Sequence, residues 1–257
     1  MAAALATVGL PMALVTTEHG IAADDLVYHG TKTRSSAKAL LHTARLRRFD
    51  AVIAVSDATR TAMAAKWHPR QPITVIPNGV DPLDAAAPSE PGLRFASIAR
   101  LAPEKRLGDL LRAFGQLRAT HPAATLTVAG TGPLDGQLRQ DAARLGIADA
   151  VSFPGYVQAP AVLSETDVLV QLSVWENCSY SLLDAVAHGR GVVASGVGGN
   201  PEILPPQCLA DPDDPSAVAA AMAEQGLQPD RRPVLKPGWP TVATMTARIA
   251  EVYAPWR

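Results

Sequence analysis

The sequence predicts an α/β fold with two successive series of parallel strands and helices. Short apolar runs of strand type recur along the chain, and most are followed by a polar or glycine-containing loop and a helical pattern. A polar, proline-rich stretch at residues 82–91 separates two such series. With 257 residues, the chain is long enough for two modest domains that each bury a core. We therefore expect domains at residues 1–90 and 91–235, followed by a final helical segment at 236–257.

The individual elements follow from apolar patterns and capping signals. Ser56 can cap a helix that begins at Asp57, and Ser179 stands before another helical pattern. A Gly-x-Gly turn that ends at Gly132 joins a strand to a helix. In chain order, the sequence predicts strands at residues 11–17, 51–56, 93–98, 168–172 and 191–195, and helices from residues 57, 107, 179 and 241.

A segment rich in candidate functional residues runs from Trp175 to Glu202. Glu176 lies on the loop after the predicted strand at 168–172, whereas Asp184 lies inside the helix that begins near Ser179. This strand, the helix and the strand at 191–195 form a βαβ unit. Unpaired amides and the helix macrodipole favour anions at such a helix start. The pattern therefore indicates a site for an anion such as a nucleotide diphosphate.

A second candidate site lies at the turn after the predicted strand at 93–98, where Arg100 and Lys105 precede a helical pattern. Arginine provides a forked set of donors and lysine a mobile point charge, and this combination suits two adjacent phosphates. Taken alone, an arginine and a lysine at a helix start are more often solvated surface charges. The Glu176 segment in the same chain favours the phosphate-binding interpretation.

Together these segments resemble the retaining glycosyltransferases of the GT-B fold, family 4. That family carries a Gly-Arg-Leu-x-x-Glu-Lys-Gly segment, to which residues 99–106 are similar, and two glutamates separated by seven residues, which Glu176 and Asp184 resemble. Its Gly-Gly-x-Pro-Glu loop and its Ile-Pro-Asn-Gly-Val-Asp turn are similar to residues 198–202 and 76–81. The chain departs from the family at Asp184, which is one methylene shorter, and at Gly191, where proline is usual.

The resemblance implies roles for individual residues. Arg100 and Lys105 would neutralise the pyrophosphate leaving group, Glu176 would contact the donor sugar, and Asp184 would hold the ribose. His19 follows the predicted strand at 11–17, at the end where open α/β sheets place their ligands, and would border the donor sugar. The other residues expected at the donor are Asn177, Cys178, Ser179 and Tyr180, together with Gly132 and Gly155 in turns whose backbone meets it. For Gly132, a tight turn of purely structural use explains the glycine equally well.

The activity that the resemblance implies is retaining transfer of a sugar from a UDP- or GDP-linked donor to a hydroxyl of a glycan, a lipid or a small molecule. Residues 91–235 would form a complete Rossmann-like domain for the sugar nucleotide, residues 1–90 a partial Rossmann-like domain on the acceptor side, and residues 236–257 a crossover helix. No metal or other cofactor is expected. Residues 211–214 have the spacing of an Asp-x-Asp metal motif, but they are more typical of a turn that caps a helix. A catalytically inactive donor-binding module and a nucleotide-sugar epimerase are the alternatives.

Composition narrows the class of protein further. A formal net charge of -1 and a pI near 6.6 argue against nucleic-acid binding. Cys178 and Cys208 form neither a disulfide framework nor a metal-ligand pattern, and residues 1–15 lack the positively charged start of a signal peptide. We therefore expect a cytoplasmic protein. One basic amphipathic segment is either a solvated helix face or a peripheral contact with the inner membrane face; it comprises Lys32, Arg34, Lys38, Arg45, Arg47 and Arg48, with leucines at 40, 41 and 46.

The beginning of the chain differs from the family pattern. Family members have several strand and helix units before the strand that precedes His19, whereas this chain has about ten residues there. We therefore expect a short parallel sheet with one unprotected edge, which natural proteins usually cover. A partner chain, an oligomer or an upstream start would supply that cover.

Overall fold

A computed structural model of the protein describes residues 6–7, 9–21, 40–81 and 90–256. The chain divides into two compact units. The first unit comprises Met1–Gly79, Trp175–Cys178 and Pro240–Arg257, and the second comprises Val80–Val174 and Ser179–Trp239. The domain ranges 1–90, 91–235 and 236–257 stay a prediction.

The described strands form two parallel sheets. The sheet of the first unit has the order β1-β2-β3, and the sheet of the second unit has the order β6-β5-β4-β7-β8-β9. Every pairing between neighbouring strands is parallel. In chain order the strands are β1 (Val15–Glu18), β2 (Ala51–Ala54), β3 (Ile73–Val75), β4 (Arg94–Ile98), β5 (Thr125–Ala129), β6 (Val151–Gly155), β7 (Val168–Gln171), β8 (Gly191–Ser195) and β9 (Leu209–Ala210).

Helices connect most of these strands, and several begin at side-chain caps. Ser56, Ser179, Asp214 and Thr241 each accept a hydrogen bond from a backbone N–H of the following helix. The helices are α1 (Asp57–Trp67), α2 (Leu107–Thr120), α3 (Asp135–Arg144), α4 (Ala159–Ser164), α5 (Tyr180–Ala187), α6 (Asn200–Ile203), α7 (Pro215–Leu227) and α8 (Val242–Tyr253), and residues 40–46 are also helical.

The first unit is built around β2, whose neighbours are β1 and β3. Its core is a cluster of buried apolar side chains, namely Ile21, Leu46, Phe49, Val52, Ala54, Met63 and Trp67. The predicted strand at 11–17 is shorter than expected, because regular pairing begins only at Val15. All four residues of β1 are half-buried rather than buried. Among the described residues this strand pairs with β2 alone, and Pro11 has no N–H to donate.

The strand order in the sheet of the second unit reverses. From β4 the chain moves outward through β5 to β6, and then returns to the other side of β4 with β7. Strands β7 and β8 are buried along their whole length, as expected of parallel strands covered by helices on both faces. In open α/β sheets, ligands bind outside the carboxyl ends of the strands where the order reverses. In this sheet that point lies at the ends of β4 and β7.

Some predicted features fall outside the described residues. Lys32, Arg34 and Lys38 of the basic segment lie there, as do residues 82–89 of the proline-rich stretch. Within the described part of that segment, Arg45 is not a solvated charge, because its Nη2 donates to Glu18 Oε2 at 3.1 Å and its guanidinium lies 5.9 Å from the centre of the Phe49 ring. No helix among the described residues is long and apolar enough to span a membrane.

Candidate active site

Arg100 lies on the turn after β4, at the point where the strand order of the second unit reverses. The turn after β5 packs directly against its backbone. A Cβ atom on Gly130 would lie 1.9 Å from the carbonyl oxygen of Ala99, and one on Gly132 would lie 2.4 Å from that of Leu101. Both glycines are therefore required for this close approach, which fixes the backbone on either side of Arg100.

A cavity of about 360 Å³ opens beside this turn. It lies at the carboxyl ends of β4, β5 and β6. Gly155 closes the last of these strands with a positive φ of 77°, and its carbonyl oxygen accepts a hydrogen bond from the N–H of Gly130 at 2.8 Å. The side chain of Tyr156 is largely exposed at the rim of the cavity. The lining residues are Ile98, Ala99, Arg100, Ala129, Gly130, Thr131, Tyr156 and Val157.

Glu104 links the Arg100 turn to the segment after β7. Its carboxylate pairs with Arg100, and its backbone oxygen accepts a hydrogen bond from the N–H of Val174 at 2.9 Å. Burial alone would raise the pKa of Glu104, but hydrogen bonds from its own backbone and from Arg100 more than offset this, so the pKa lies below its usual value. Glu104 is therefore an anionic support for Arg100. The half-buried Lys105 is the next residue, at the end of the short 3-10 turn Pro103–Lys105.

Arg106 has an unusual backbone conformation for a residue with a side chain. Its φ of 51° and ψ of 37° place it in the left-handed region, and the family segment to which residues 99–106 are similar has glycine at this position. Its side chain donates from Nε to Asp109 at 2.7 Å and from Nη2 to Asp213. The hydrogen bond with Asp109 contributes most to raising the pKa of Arg106. These ion pairs compensate part of the backbone strain next to Lys105.

Helix α5 begins at Ser179 and is anchored to β7. The Ser179 hydroxyl oxygen accepts hydrogen bonds from the N–H of Leu182 at 3.4 Å and from Nε2 of Gln171 at 2.9 Å. Tyr180, the first helical residue, is exposed. Asp184 is half-buried one turn further on, and burial raises the pKa of its carboxyl group. The predicted helix start at residue 179 is therefore confirmed.

In the first unit, the segment Trp175–Cys178 is held by hydrogen bonds to its last two residues, Asn177 and Cys178. Asn177 accepts from Thr59 Oγ1 at 2.9 Å and donates from Nδ2 to the carbonyl oxygen of His19 at 3.1 Å. Asn78 Nδ2 donates to the carbonyl oxygen of Cys178 at 2.8 Å. Cys178 is buried.

The structure thus distributes the predicted residues between the two units. The first unit brings together His19, Asn177 and Cys178, with Glu176 on the same segment. The second unit contains Arg100, Lys105, Gly132, Gly155, Ser179, Tyr180 and Asp184. Among the residues that the structure describes, no group of three or more His, Cys, Asp and Glu side chains is arranged to hold a metal ion. Glu104 and Asn78 lie in segments that are similar to family motifs, but the sequence assigned neither of them a role, and no sequence pattern singled out Thr59.

Comparison with known proteins identifies the family. The family described as "Glycosyl transferases group 1" matches residues 92–225, which is more than half of the chain. The family described as "Glycosyltransferase Family 4" matches residues 1–83. The chain belongs to the family 4 glycosyltransferases. The resemblance inferred from the sequence motifs is confirmed, and it now extends over most of the chain.

Characterised members of this glycosyltransferase family align at about 30% identity. Glycogen synthase of Mycobacterium tuberculosis is 30% identical over 231 residues, which cover 79% of this chain and 54% of the relative. The GDP-mannose-dependent alpha-(1-6)-phosphatidylinositol monomannoside mannosyltransferase of the same organism is 30% identical over 253 residues, which cover 86% of this chain and 66% of the relative. The chain spans about half the length of the first of these relatives.

Solved structures of similar fold include HepE of Anabaena, which was crystallised with UDP and glucose. Its TM-score is 0.75 at 22% identity, and the match covers 98% of this chain and 74% of HepE. Sucrose-phosphate synthase of Thermosynechococcus elongatus has a TM-score of 0.73 and 19% identity over 98% of this chain and 69% of that one. At this level of identity the similarity concerns the fold alone. It confirms the predicted α/β fold of the GT-B type.

Proposed function

We propose that this chain carries the donor-binding machinery of a retaining, metal-independent glycosyltransferase. The observation that carries the proposal is the position of Arg100, whose exposed guanidinium stands beside a cavity at the point where the strand order reverses. Ligands of open α/β sheets bind at this point, and a guanidinium and an ammonium suit a diphosphate. Family membership makes a nucleotide-diphosphate sugar the natural donor.

In the proposed reaction, the bond between the anomeric carbon and the diphosphate oxygen breaks, and the electron pair leaves with the nucleotide diphosphate. Arg100, Lys105 and the amides at the start of α5 stabilise the charge that develops on the leaving group. Glu176 contacts the donor sugar and His19 borders it. An acceptor hydroxyl attacks from the face that the diphosphate leaves, and its proton passes to the departing diphosphate oxygen. These assignments come from the family resemblance, and the fixed backbone around Arg100 supports them because preorganised charges stabilise a transition state best.

We also propose where the base of the donor binds. The cavity beside Arg100 is bordered by Tyr156, whose exposed ring can cover a planar base, and by the backbone of residues 129–131. The crystal structure of HepE contains UDP and the named mannosyltransferase depends on GDP-mannose, so both bases are candidates for this chain. The donor contacts predicted for Gly132, Gly155, Asn177, Cys178, Ser179 and Tyr180 belong to this proposal. The proposed acceptor is a hydroxyl group of a glycan, a lipid or a small molecule.

The test is turnover of UDP- and GDP-linked hexoses by the purified chain in the presence of a chelator. We expect release of one nucleoside diphosphate, slow with water and faster with an accepting alcohol, and loss of release in the Glu176→Gln variant. Proton NMR of the glycoside formed should show the anomeric configuration of the donor. Turnover that requires added divalent metal, or a product of inverted configuration, would contradict the proposed mechanism.

A second candidate function is a donor-binding module without catalysis. It is favoured by Asp184, where the expected carboxylate is one methylene shorter and where burial raises the pKa, which makes the charged form less favourable. Tight nucleotide binding without turnover, with any of the sugars offered and any acceptor, would support the module. A partner chain or oligomer at the β1 edge, and contact with a membrane surface, stay predictions that analytical ultracentrifugation and vesicle sedimentation can test.

A further inference from the structure

We propose that Thr59 and Asn78 are positioning residues that hold the segment Trp175–Cys178, and through it Glu176, in a fixed conformation. Neither residue belongs to the motifs in which the family's donor contacts were predicted. Both are fully or almost fully buried, with exposed fractions of 0% for Thr59 and 3% for Asn78. The consequence for catalysis rests on the role proposed above for Glu176, whereas the structural step can be tested without it.

The hydrogen bonds around Asn177 have only one consistent direction. Its Nδ2 faces the carbonyl oxygen of His19, which can only accept, so the side-chain amide cannot be flipped. Its Oδ1 therefore accepts, from Trp175 Nε1 at 3.4 Å and from the hydroxyl of Thr59 at 2.9 Å. Because the Thr59 proton is used in this way, the Ser56 hydroxyl must donate to Thr59 Oγ1, 2.8 Å away. Ser56 Oγ in turn accepts the N–H of Thr59 at 3.0 Å.

The N-cap of α1 is thus the origin of a directed chain of hydrogen bonds that ends on the residue after Glu176. A threonine at this third helical position is unusual in one respect, because a glutamate or glutamine there would complete the common capping box with Ser56. A branched side chain also offers no gain in helix propensity. Its hydroxyl is what the position requires, since it accepts from Ser56 and donates to Asn177.

Asn78 provides a second and independent attachment. It lies in the turn after β3, and its Nδ2 donates to the carbonyl oxygen of Cys178 at 2.8 Å. Hydrogen bonds to two successive residues, one through a side chain and one through the backbone, restrict both the rotation and the displacement of a short loop. A loop held in this way presents Glu176 with little entropy left to lose in the transition state.

The alternative is that Thr59 only supports the Ser56 cap of α1 and that Asn78 only closes its turn. The thiol of Cys178 distinguishes the two interpretations without any assumption about function. Cys178 as a whole is 8% exposed, so a thiol reagent reaches it only when the segment opens, and the modification rate follows the population of the open state. Cys208 is an internal control, because it is 0% exposed and burial raises its pKa to about 12.

The experiment compares Thr59→Val and Asn78→Ala with wild type, using a disulfide reagent and peptide mass spectrometry to identify the modified cysteine. We expect Cys178 to react about tenfold faster in each variant, which corresponds to the loss of one buried hydrogen bond of about 1.4 kcal/mol. Thr59→Ser, which keeps the hydroxyl, should restore the slow rate. Thr61→Val is the matched control, since Thr61 is exposed on the same helix, and it should react as wild type does.

Catalysis provides a readout that simple destabilisation would not reproduce. UDP and GDP lack the sugar that Glu176 is proposed to contact, so Thr59→Val should change the affinity for the preferred nucleotide much less than it changes turnover of the sugar nucleotide. Turnover of UDP-glucose or GDP-mannose, whichever the wild type uses, should fall between about tenfold and a hundredfold, because displacement of a catalytic group by about 1 Å has effects of this size.

The outcomes separate the two proposals. An unchanged Cys178 rate in folded Thr59→Val and Asn78→Ala variants would overturn the positioning role, whatever the activity. A faster rate in these variants together with unchanged sugar-nucleotide turnover would also overturn it, because the segment would then move without consequence. A wild-type chain that neither binds nor turns over these nucleotides would contradict the proposed function, while the thiol rates would still decide whether the segment is held as described.

Discussion

Replacing Arg100 by alanine should weaken the binding of the nucleoside diphosphate by about tenfold to fifteenfold. A charge-assisted hydrogen bond contributes about 1.5–3 kcal/mol. The Arg100 side chain is 67% exposed, and solvent screens its charge, so the lower end of this range applies. Glu104, which is only 12% exposed, already pairs with Arg100 and orients it. The guanidinium therefore contributes its charge to the ligand without a large cost of ordering its side chain.

Isothermal titration calorimetry with UDP and GDP measures this effect directly. Arg112→Ala is a matched control, because Arg112 is 56% exposed and pairs with a carboxylate three residues away, as Arg100 does with one four residues away. The difference between the Arg100 variant and wild type should shrink at high salt, since exposed charges are screened there. Binding by Arg100→Ala within twofold of wild type, in a sample with a normal unfolding transition, would refute the assignment of Arg100 to the phosphates.

Three further predictions concern the second unit. Asp184→Glu should strengthen binding of the preferred nucleotide several-fold in calorimetry, because a longer carboxylate reaches the ribose. Asp184→Ala should weaken this binding about tenfold, because a hydrogen bond to a charged group contributes about 1.5 kcal/mol or more. Gly92→Ala should lower the free energy of unfolding by about 1–3 kcal/mol in urea titrations, because the new Cβ would lie 2.2 Å from Oδ2 of Asp167. Gly136→Ala in α3 is the control: its Cβ would meet no atom within 4 Å, and alanine favours a helix over glycine, so the free energy of unfolding should rise slightly. Burial would raise the pKa of Asp167, but hydrogen bonds from Arg94 outweigh this and lower it, so this carboxylate should contribute stability at neutral pH that is lost as the pH falls below about 4 towards the lower folded-state pKa. The unfolding temperature of Asp167→Asn should therefore depend less on pH in that range. A variant whose unfolding temperature falls with acid as steeply as that of wild type would contradict the role of the pair.

Local patterns in the sequence predicted much of the second unit. Ser179 was expected to begin a helix and does, and Arg100 was expected on a turn between a strand and a helix and lies on one. Such features depend on residues a few positions apart, which is the range over which capping and periodicity act. The predicted strand at 11–17 was partly wrong, because an apolar run does not show where pairing begins, and in the part of the chain that the structure describes it begins at Val15.

The contacts of Thr59 and Asn78 could not be predicted in this way. Thr59 meets Asn177 across 118 residues, and Asn78 meets Cys178 across 100. Nothing near Thr59 in the sequence distinguishes it from an ordinary helix-start residue. The Asn-Gly pair at residues 78–79 predicts a turn, and a turn does not by itself indicate that the side chain of Asn78 is buried. Only the fold brings these two side chains to the segment that precedes α5.

The attachment of residues 175–178 changes how the family motif should be interpreted. In the sequence, Glu176 and Asp184 form one motif with a fixed spacing, which suggests one rigid site. In the structure, Asn177 and Cys178 are held by residues of the first unit, whereas Ser179, the very next residue, is held by Gln171 of β7 in the second. The two acids are therefore fixed by different sets of contacts. Substitutions on α1 or in the turn after β3 should affect the role of Glu176 and leave that of Asp184 unchanged.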